Sequence, residues 1–134
     1  MILKEGIVSS NMTSLILTGV GLTRSALSLI AECPNLRHLK TLKLDQNAQL
    51  PHHVNILSEI LMNNSQSLKV LDLSSCGFRI EEVKDLCPVF QMVTYLEELV
   101  IWENRGIGDE SIRREILPLL QNMPHLKRLP PVIC

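Results

Sequence analysis

The sequence predicts a single α/β domain built as a solenoid, in which short parallel strands alternate with helices. Three observations predict it. A leucine pattern recurs five times along the 134 residues, with copies starting at Met12, Leu39, Leu68, Leu96 and Leu126 and spacings of 27, 29, 28 and 30. Within a copy, the apolar residues at offsets 3 and 5 lie two apart, so their side chains share one face of an extended strand. Between copies, apolar residues recur every three to four positions, which is the helical period. A strand-plus-helix unit cannot bury its apolar face alone, and stacking units supplies the continuous core.

Composition agrees with a globular chain. Apolar residues make up 46% and charged residues 20%, while aromatics are only 3%, so the core must be aliphatic. A chain of this length forms one domain and buries roughly two-thirds of its extended surface without staples. The net charge is −1 and no run of Lys or Arg exceeds two, so the basic footprint of a nucleic-acid binder is missing. The longest charge-free stretch, Gly6 to Thr23, is studded with Ser, Asn, Thr and Gly. A bilayer span wants ~20 mostly apolar residues, so no membrane partner is expected. The start, MILKEGIVSS, carries the charged pair Lys4–Glu5 and lacks a continuous apolar core, so no secretory signal is read and a cytoplasmic location is expected. Cys33, Cys76, Cys87 and Cys134 show no C-x-x-C spacing and are expected as free thiols. The triplets Asn11-Met12-Thr13 and Asn63-Asn64-Ser65 match the glycosylation pattern by chance.

Taken in order, residues 1–11 are expected to form an N-terminal cap using Ile2, Leu3, Ile7 and Val8. The first unit runs Met12, Leu15, Leu17, Val20, Leu22, and Thr23 is placed to N-cap the helical stretch RSALSLIAE. The second runs Leu39, Leu42, Leu44, Asn47, with Leu50 one place late. Pro51 then sits where a first-turn proline is tolerated, ahead of a stripe of Val54, Leu57, Ile60 and Leu61 that leaves Ile56 at its margin. The third is the cleanest: Leu68, Leu71, Leu73, Cys76, Phe78, followed by a helix with Val83, Leu86, Cys87 and Phe90 facing in. Pro88 within that helix predicts a break or kink. The fourth runs Leu96, Leu99, Ile101, Asn104, with Ile107 one place late. Asp109 is placed to cap a helix whose Ile112, Ile116, Leu119 and Leu120 face in, and Pro118 predicts a distortion. Leu126, Leu129 and Cys134 begin a fifth copy that stops at Pro130–Pro131.

Offset 8 follows the strand, where the backbone turns and leaves polar groups unpaired. An Asn amide both donates and accepts there, and Asn47, Cys76 and Asn104 fill the slot. A thiol is a poorer donor, and Val20 in the first copy does neither, which makes that turn irregular. This pattern resembles the leucine-rich repeat, L-x-x-L-x-L-x-x-N/C-x-L, and the repeat length resembles the ribonuclease-inhibitor type found in the sensing ends of NLR innate-immunity receptors. The resemblance covers nearly the whole chain and implies a right-handed solenoid in a horseshoe arc. Strands would form a parallel sheet on the concave face and helices the convex face. The departures at Val20, the late Leu50 and Ile107, and the prolines of the fifth copy bear on the outer turns more than on the centre.

Solvent-facing positions of the concave sheet fall at offsets 2, 4 and 6: Ser14, Ile16, Thr18; Thr41, Lys43, Asp45; Val70, Asp72, Ser74; Glu98, Val100, Trp102; and Arg128, Pro130. The expected partner-binding set is Trp102, Val100 and Val70 as an apolar anchor, rimmed by Asp72, Lys43, Asp45 and Glu98. A second placement of Trp102 stays open, folded over a neighbouring strand or against the terminal turn around Pro130. Adjacent His52 and His53 point apart with no carboxylate or cysteine at ligand spacing, so neither a metal nor a cofactor is expected. The pairs Glu81–Glu82 and Glu97–Glu98 are expected as ordinary solvated positions. No catalytic template occurs: no G-x-S-x-G, phosphate loop or H-E-x-x-H. Cys76 in the ladder slot is expected buried and inert. The function expected is therefore not enzymatic but a protein–protein interaction module that grips a partner protein through the concave face. The alternative is a structural or regulatory segment of a larger NLR-like sensor or adaptor, which self-associates through an end of the solenoid or packs on another domain.

Overall fold

A computed structural model describes residues 11–101, 103–120 and 122–127. The expected cap therefore lies outside the described residues over 1–10, as do Leu129, Pro130, Pro131 and Cys134. The described chain alternates strand and helix: β1 (Ser14–Ile16), α1 (Arg24–Glu32), β2 (Thr41–Lys43), α2 (Val54–Asn63), β3 (Val70–Asp72), α3 (Ile80–Met92), β4 (Glu98–Val100) and a short α4 (Asp109–Ser111). The four strands form one parallel sheet in the order β1-β2-β3-β4. The helices pack in the same order, α1 on α2 and α2 on α3.

Register follows the leucines. Leu15, Leu42, Leu71 and Leu99 are side by side on adjacent strands. A one-residue slip would turn this whole row to solvent, so burial of one face specifies the pairing strongly. The hydrogen-bonding step from unit to unit is nearly constant: Lys40 N–H to the Thr13 carbonyl at 2.7 Å, and Lys69 to Lys40, Glu97 to Lys69 and Lys127 to Glu97, each at 2.8 Å. The fifth copy thus begins in step with the other four.

The core lies between sheet and helices and is continuous from Leu22 to Met123. Its three inner units are closed: Leu39, Leu42, Leu44, Leu68, Leu71, Leu73, Leu96, Leu99 and Ile101 are all at most 2% exposed. The first unit differs, since the equivalent Met12, Leu15 and Leu17 are only partly buried.

Helix α1 starts as its sequence predicts. The Thr23 hydroxyl accepts the Ala26 N–H at 3.2 Å, and Leu27, Ile30 and Ala31 face the core. Leu29 stands on the opposite side and is exposed. The stripe on α2 is shifted from expectation. Ile56, Leu57, Ile60 and Leu61 are buried, whereas Val54 is only partly so. The shift arises because Pro51 opens a 3₁₀ turn (Leu50–His53) rather than the α-helix itself, which changes where the α-helical stripe begins.

The expected break at Pro88 does not occur, and α3 runs through it without interruption. Pro88 and Lys84, four residues earlier, are both exposed, so the main-chain bond that proline removes lies on the water-facing side. Pro118 does distort its helix. After α4 the chain widens into a π turn over Ile112–Ile116, with Leu117 N–H bonded to the Ile112 carbonyl, then tightens into a 3₁₀ turn over Leu117–Leu120. Asp109 is the first residue of α4. The tightened turn also rotates Leu119 outward to 39% exposure, against expectation, while Ile112, Ile116 and Leu120 remain buried.

Glu82 corrects another expectation. It is not merely solvated: its carboxylate accepts the main-chain N–H of Arg79 at 2.8 Å and pairs with the Arg79 guanidinium at 2.7 Å, closing the first turn of α3. The hydrogen bond from Arg79 holds the Glu82 carboxyl below its usual range. Among the described residues no helix is long and apolar enough to cross a membrane.

Candidate protein-docking face

One face of the sheet packs on the core, and the other presents the alternate residues of each strand. Sheet register sets Ser14, Thr41, Val70 and Glu98 in one row and Ile16, Lys43, Asp72 and Val100 in the next. On β2, β3 and β4 these side chains are half-buried, because neighbouring strands stand only about 4.8 Å apart and shield one another. On β1, which has a described neighbour on one side only, Ser14 and Ile16 are exposed. Val70 and Val100 are diagonal neighbours across β3 and β4, with Asp72 and Glu98 completing the square. Lys43 is directly opposite Asp72. Asp45 continues the face one step beyond β2.

Six of the seven expected docking residues are thus brought to one surface: Lys43, Asp45, Val70, Asp72, Glu98 and Val100. The seventh, Trp102, lies outside the described residues, as do Arg128 and Pro130.

Two of the carboxylates are tied down locally. The Asp45 carboxylate accepts the Thr18 hydroxyl at 2.9 Å, and the Asp72 carboxylate accepts the Ser74 N–H at 2.9 Å. These bonds fix side-chain orientation. Ion pairs that the described residues form away from this face include Arg79 with both Glu81 and Glu82, Lys84 with Glu115 at 3.2 Å, and Arg114 with Glu110 at 2.8 Å. The Ser74 hydroxyl oxygen is shielded from solvent and has no hydrogen-bond partner among the described residues.

The loops that leave the strands are held by the offset-8 residues. Asn47 donates to the Leu17 and Leu44 carbonyls, both at 2.9 Å, and accepts from Leu22 N–H at 3.1 Å. Asn104 donates to the Leu73 carbonyl at 3.2 Å and the Ile101 carbonyl at 2.9 Å, and accepts from Cys76 N–H and Phe78 N–H, both at 3.0 Å. Cys76 occupies the same slot in the third unit, with its sulfur 3.4 Å from the Leu44 carbonyl and 3.3 Å from that of Ser74. Burial pushes the Cys76 thiol up, and burial pushes that of Cys87 up to about 11, so neither is a nucleophile near neutral pH. Val20, which cannot take the slot's role, is exposed.

A second buried amide was not anticipated from the repeat pattern. Asn64 is 1% exposed, accepts Leu39 N–H at 2.9 Å and donates to the Ile60 carbonyl at 2.9 Å, tying the end of α2 to the start of its own strand segment. The available signal was positional: an Asn recurs four residues before the leading apolar residue at Asn35, Asn64 and Asn122. His53 is half-buried rather than fully superficial. Among the described residues no group of three His, Cys, Asp or Glu side chains is arranged to hold a metal ion.

What the geometry defines is a rigid, mixed-charge sheet face with a small aliphatic centre. No protein-family model and no curated protein matches the chain.

Proposed function

We propose that this chain is a leucine-rich-repeat array, a right-handed horseshoe solenoid, and that it acts as a protein–protein interaction module. The observation that carries the reading is the in-register outer face of β2, β3 and β4, where Val70 and Val100 are rimmed by Lys43, Asp45, Asp72 and Glu98. An apolar centre within a polar rim suits a protein partner, since the centre supplies desolvation and the rim supplies orientation. A face made from hydrogen-bonded strands loses little conformational freedom on binding, which favours affinity for a modest contact area. The mixed charge suits neither a polyanion nor a bilayer surface. The constant unit-to-unit step and the buried Asn47, Cys76 and Asn104 slot support the repeat assignment. Unbridged Cys33, Cys76 and Cys87 suit the reducing cytoplasm.

Trp102 completes the centre in this proposal, and its replacement by Ala is expected to weaken partner binding by ~2 kcal/mol with the fold intact. The test is a set of matched pull-downs and titrations with wild type, Trp102→Asp, the double variant Val70→Asp with Val100→Asp, and the helix-side control Met62→Asp. Loss of the partner in the sheet-face variants alone is expected. Equal loss in the Met62→Asp control, or none in any variant, removes the sheet face from the binding site.

A further inference from the structure

We infer that the sheet face takes an extended partner segment carrying both signs of charge, with basic side chains at alternate positions and an acidic side chain beside them. This rests on the sheet-face reading above and names the partner's chemistry. The observation is a partition of charge across the face. Register sets Glu98 beside Val70 and Asp72 beside Lys43. The Leu44 and Gln46 N–H groups bond to the Asp72 and Ser74 carbonyls, which carries the register on and sets Asp45 beside Ser74. Each step from Asp45 to Asp72 to Glu98 therefore moves one strand over and two residues back. With strands about 4.8 Å apart and a rise of about 3.3 Å per residue, the three form an oblique row spaced about 8 Å at Cα. Glu97, next to Glu98, closes the row. Lys40, Lys43 and Lys69 lie together on one side of it. Lys40 and Lys69 are joined by a main-chain bond at the heads of their strands, and Lys43 meets the row opposite Asp72. Val100 lies on the other side, and Lys127 stands one unit beyond the row's end.

The two zones act separately on a partner. Lys40 and Asp45 are five residues apart along the chain, about 16 Å, which is twice the screening length of about 8 Å at physiological salt. A partner of one sign is attracted at one zone and repelled at the other, whereas a partner with both signs in matching order is attracted at both. Asp45, Asp72, Glu97 and Glu98 are half-buried, so salt screens them less than fully exposed groups. Asp45 and Asp72 are also held by neutral donors, the Thr18 hydroxyl and the Ser74 N–H, which spares part of the side-chain ordering that an ion pair otherwise costs. The spacing sets the partner's pattern. On one face of an extended chain side chains recur every two residues, about 6.6 Å, and the flexible Lys or Arg stem spans the remainder. A helix matches the row less well, since successive i+4 positions rise about 6 Å and turn about 40° off the face at each step.

Selection of a phage-displayed library of random peptides on the full chain tests the inference. Enriched peptides are expected to carry Lys or Arg at alternate positions, with Asp or Glu outside that run. Their affinity, read by titration, should fall about tenfold in the double variant Asp45→Asn with Asp72→Asn. Asn keeps an oxygen that accepts from Thr18 and Ser74, so charge is lost while the local bonds stay. Lys40→Glu with Lys69→Glu should weaken the same peptides, and Glu32→Gln, on the helix side, should not. If a variant fails to fold, salt decides with the unaltered chain: affinity should fall steadily between about 50 and 500 mM, and binding insensitive to salt overturns the inference. Basic residues enriched at i, i+4 spacing overturn the extended partner. Uncharged or single-sign peptides that are lost in Val70→Asp with Val100→Asp overturn the inference and leave the sheet-face function standing. Peptides indifferent to every sheet-face variant, or no enrichment at all, overturn it and count against that function too.

Discussion

The turns that leave β1 and β3 are one residue shorter than those that leave β2 and β4, and the two kinds reverse the chain by different chemistry. All four place a left-handed residue at offset 7: Gly19 (φ 60°), Gln46 (61°), Ser75 (54°) and Glu103 (53°). The short turns add a second at offset 9, Gly21 (68°) and Gly77 (81°), where the long turns carry Ala48 and Arg105. Two left-handed residues reverse the chain quickly enough for Leu22 and Phe78 to enter the core at offset 10. Without the second glycine, the long turns take an extra residue, and Leu50 and Ile107 enter at offset 11. The late apolar positions are thus a consequence of missing glycines.

The long turns also hold the short ones. Asn47 and Asn104 each bond back to a carbonyl and an N–H of the preceding short turn. Cys76, in a short turn, has a single S–H proton to share between the Leu44 and Ser74 carbonyls. Within this ladder the seams between units therefore alternate: well bonded between the first and second, weaker between the second and third, well bonded again between the third and fourth.

Breaking the strong seam should have the largest effect. Asn104→Ala leaves four buried main-chain groups without their partner and is expected to destabilise by about 3–4 kcal/mol, read by urea unfolding. A loss near that of an exposed Asn would mean water replaces the amide, and the distinction between the turns would weaken. Gly106→Ala comes next. A Cβ there would lie 2.7 Å from the Arg79 Cα, at the bridge between the third and fourth units, and a loss of about 3 kcal/mol is expected. Gly77→Ala meets open space, but its φ of 81° costs about 1–2 kcal/mol. Thermal melts of the two variants separate steric from conformational need; equal shifts would erase that contrast. Cys76→Ala should remove only about 1 kcal/mol, in keeping with one thiol donor. A loss as large as that of Asn104→Ala would make the alternation of seams untenable. Smallest is Ser75→Gly, which relieves a left-handed non-glycine and should stabilise by about 0.5 kcal/mol in the same melts; destabilisation would show that the Ser75 side chain contributes more than its strain costs.

Much of this was readable before any coordinates. Leu42, Leu71 and Leu99 announce the strands because a two-residue alternation is a direct property of extended backbone. Asn47 and Asn104 announce the turns because a buried amide suits an orphaned main-chain group. The outer-face positions of six docking residues follow from the same parity. Other features were hidden for physical reasons. Proline forbids one hydrogen bond wherever it occurs, yet α3 runs through Pro88 while the chain around Pro118 passes from a π turn to a 3₁₀ turn, and both prolines are exposed, so neither residue type nor exposure tells the two apart. Ile56 belongs to the core because a 3₁₀ turn precedes α2. Glu82 caps α3 through the main-chain N–H of Arg79, a residue with no capping propensity of its own.

The amino-acid order by itself determined the period, the strand faces and the aliphatic content of the core, since each depends only on local spacing and residue type. Tertiary structure alone decided which units are sealed and which are open. Leu15 and Leu71 occupy the same place in the same pattern, but burial is a property of neighbours, and among the described residues only Leu71 lies between two closed units.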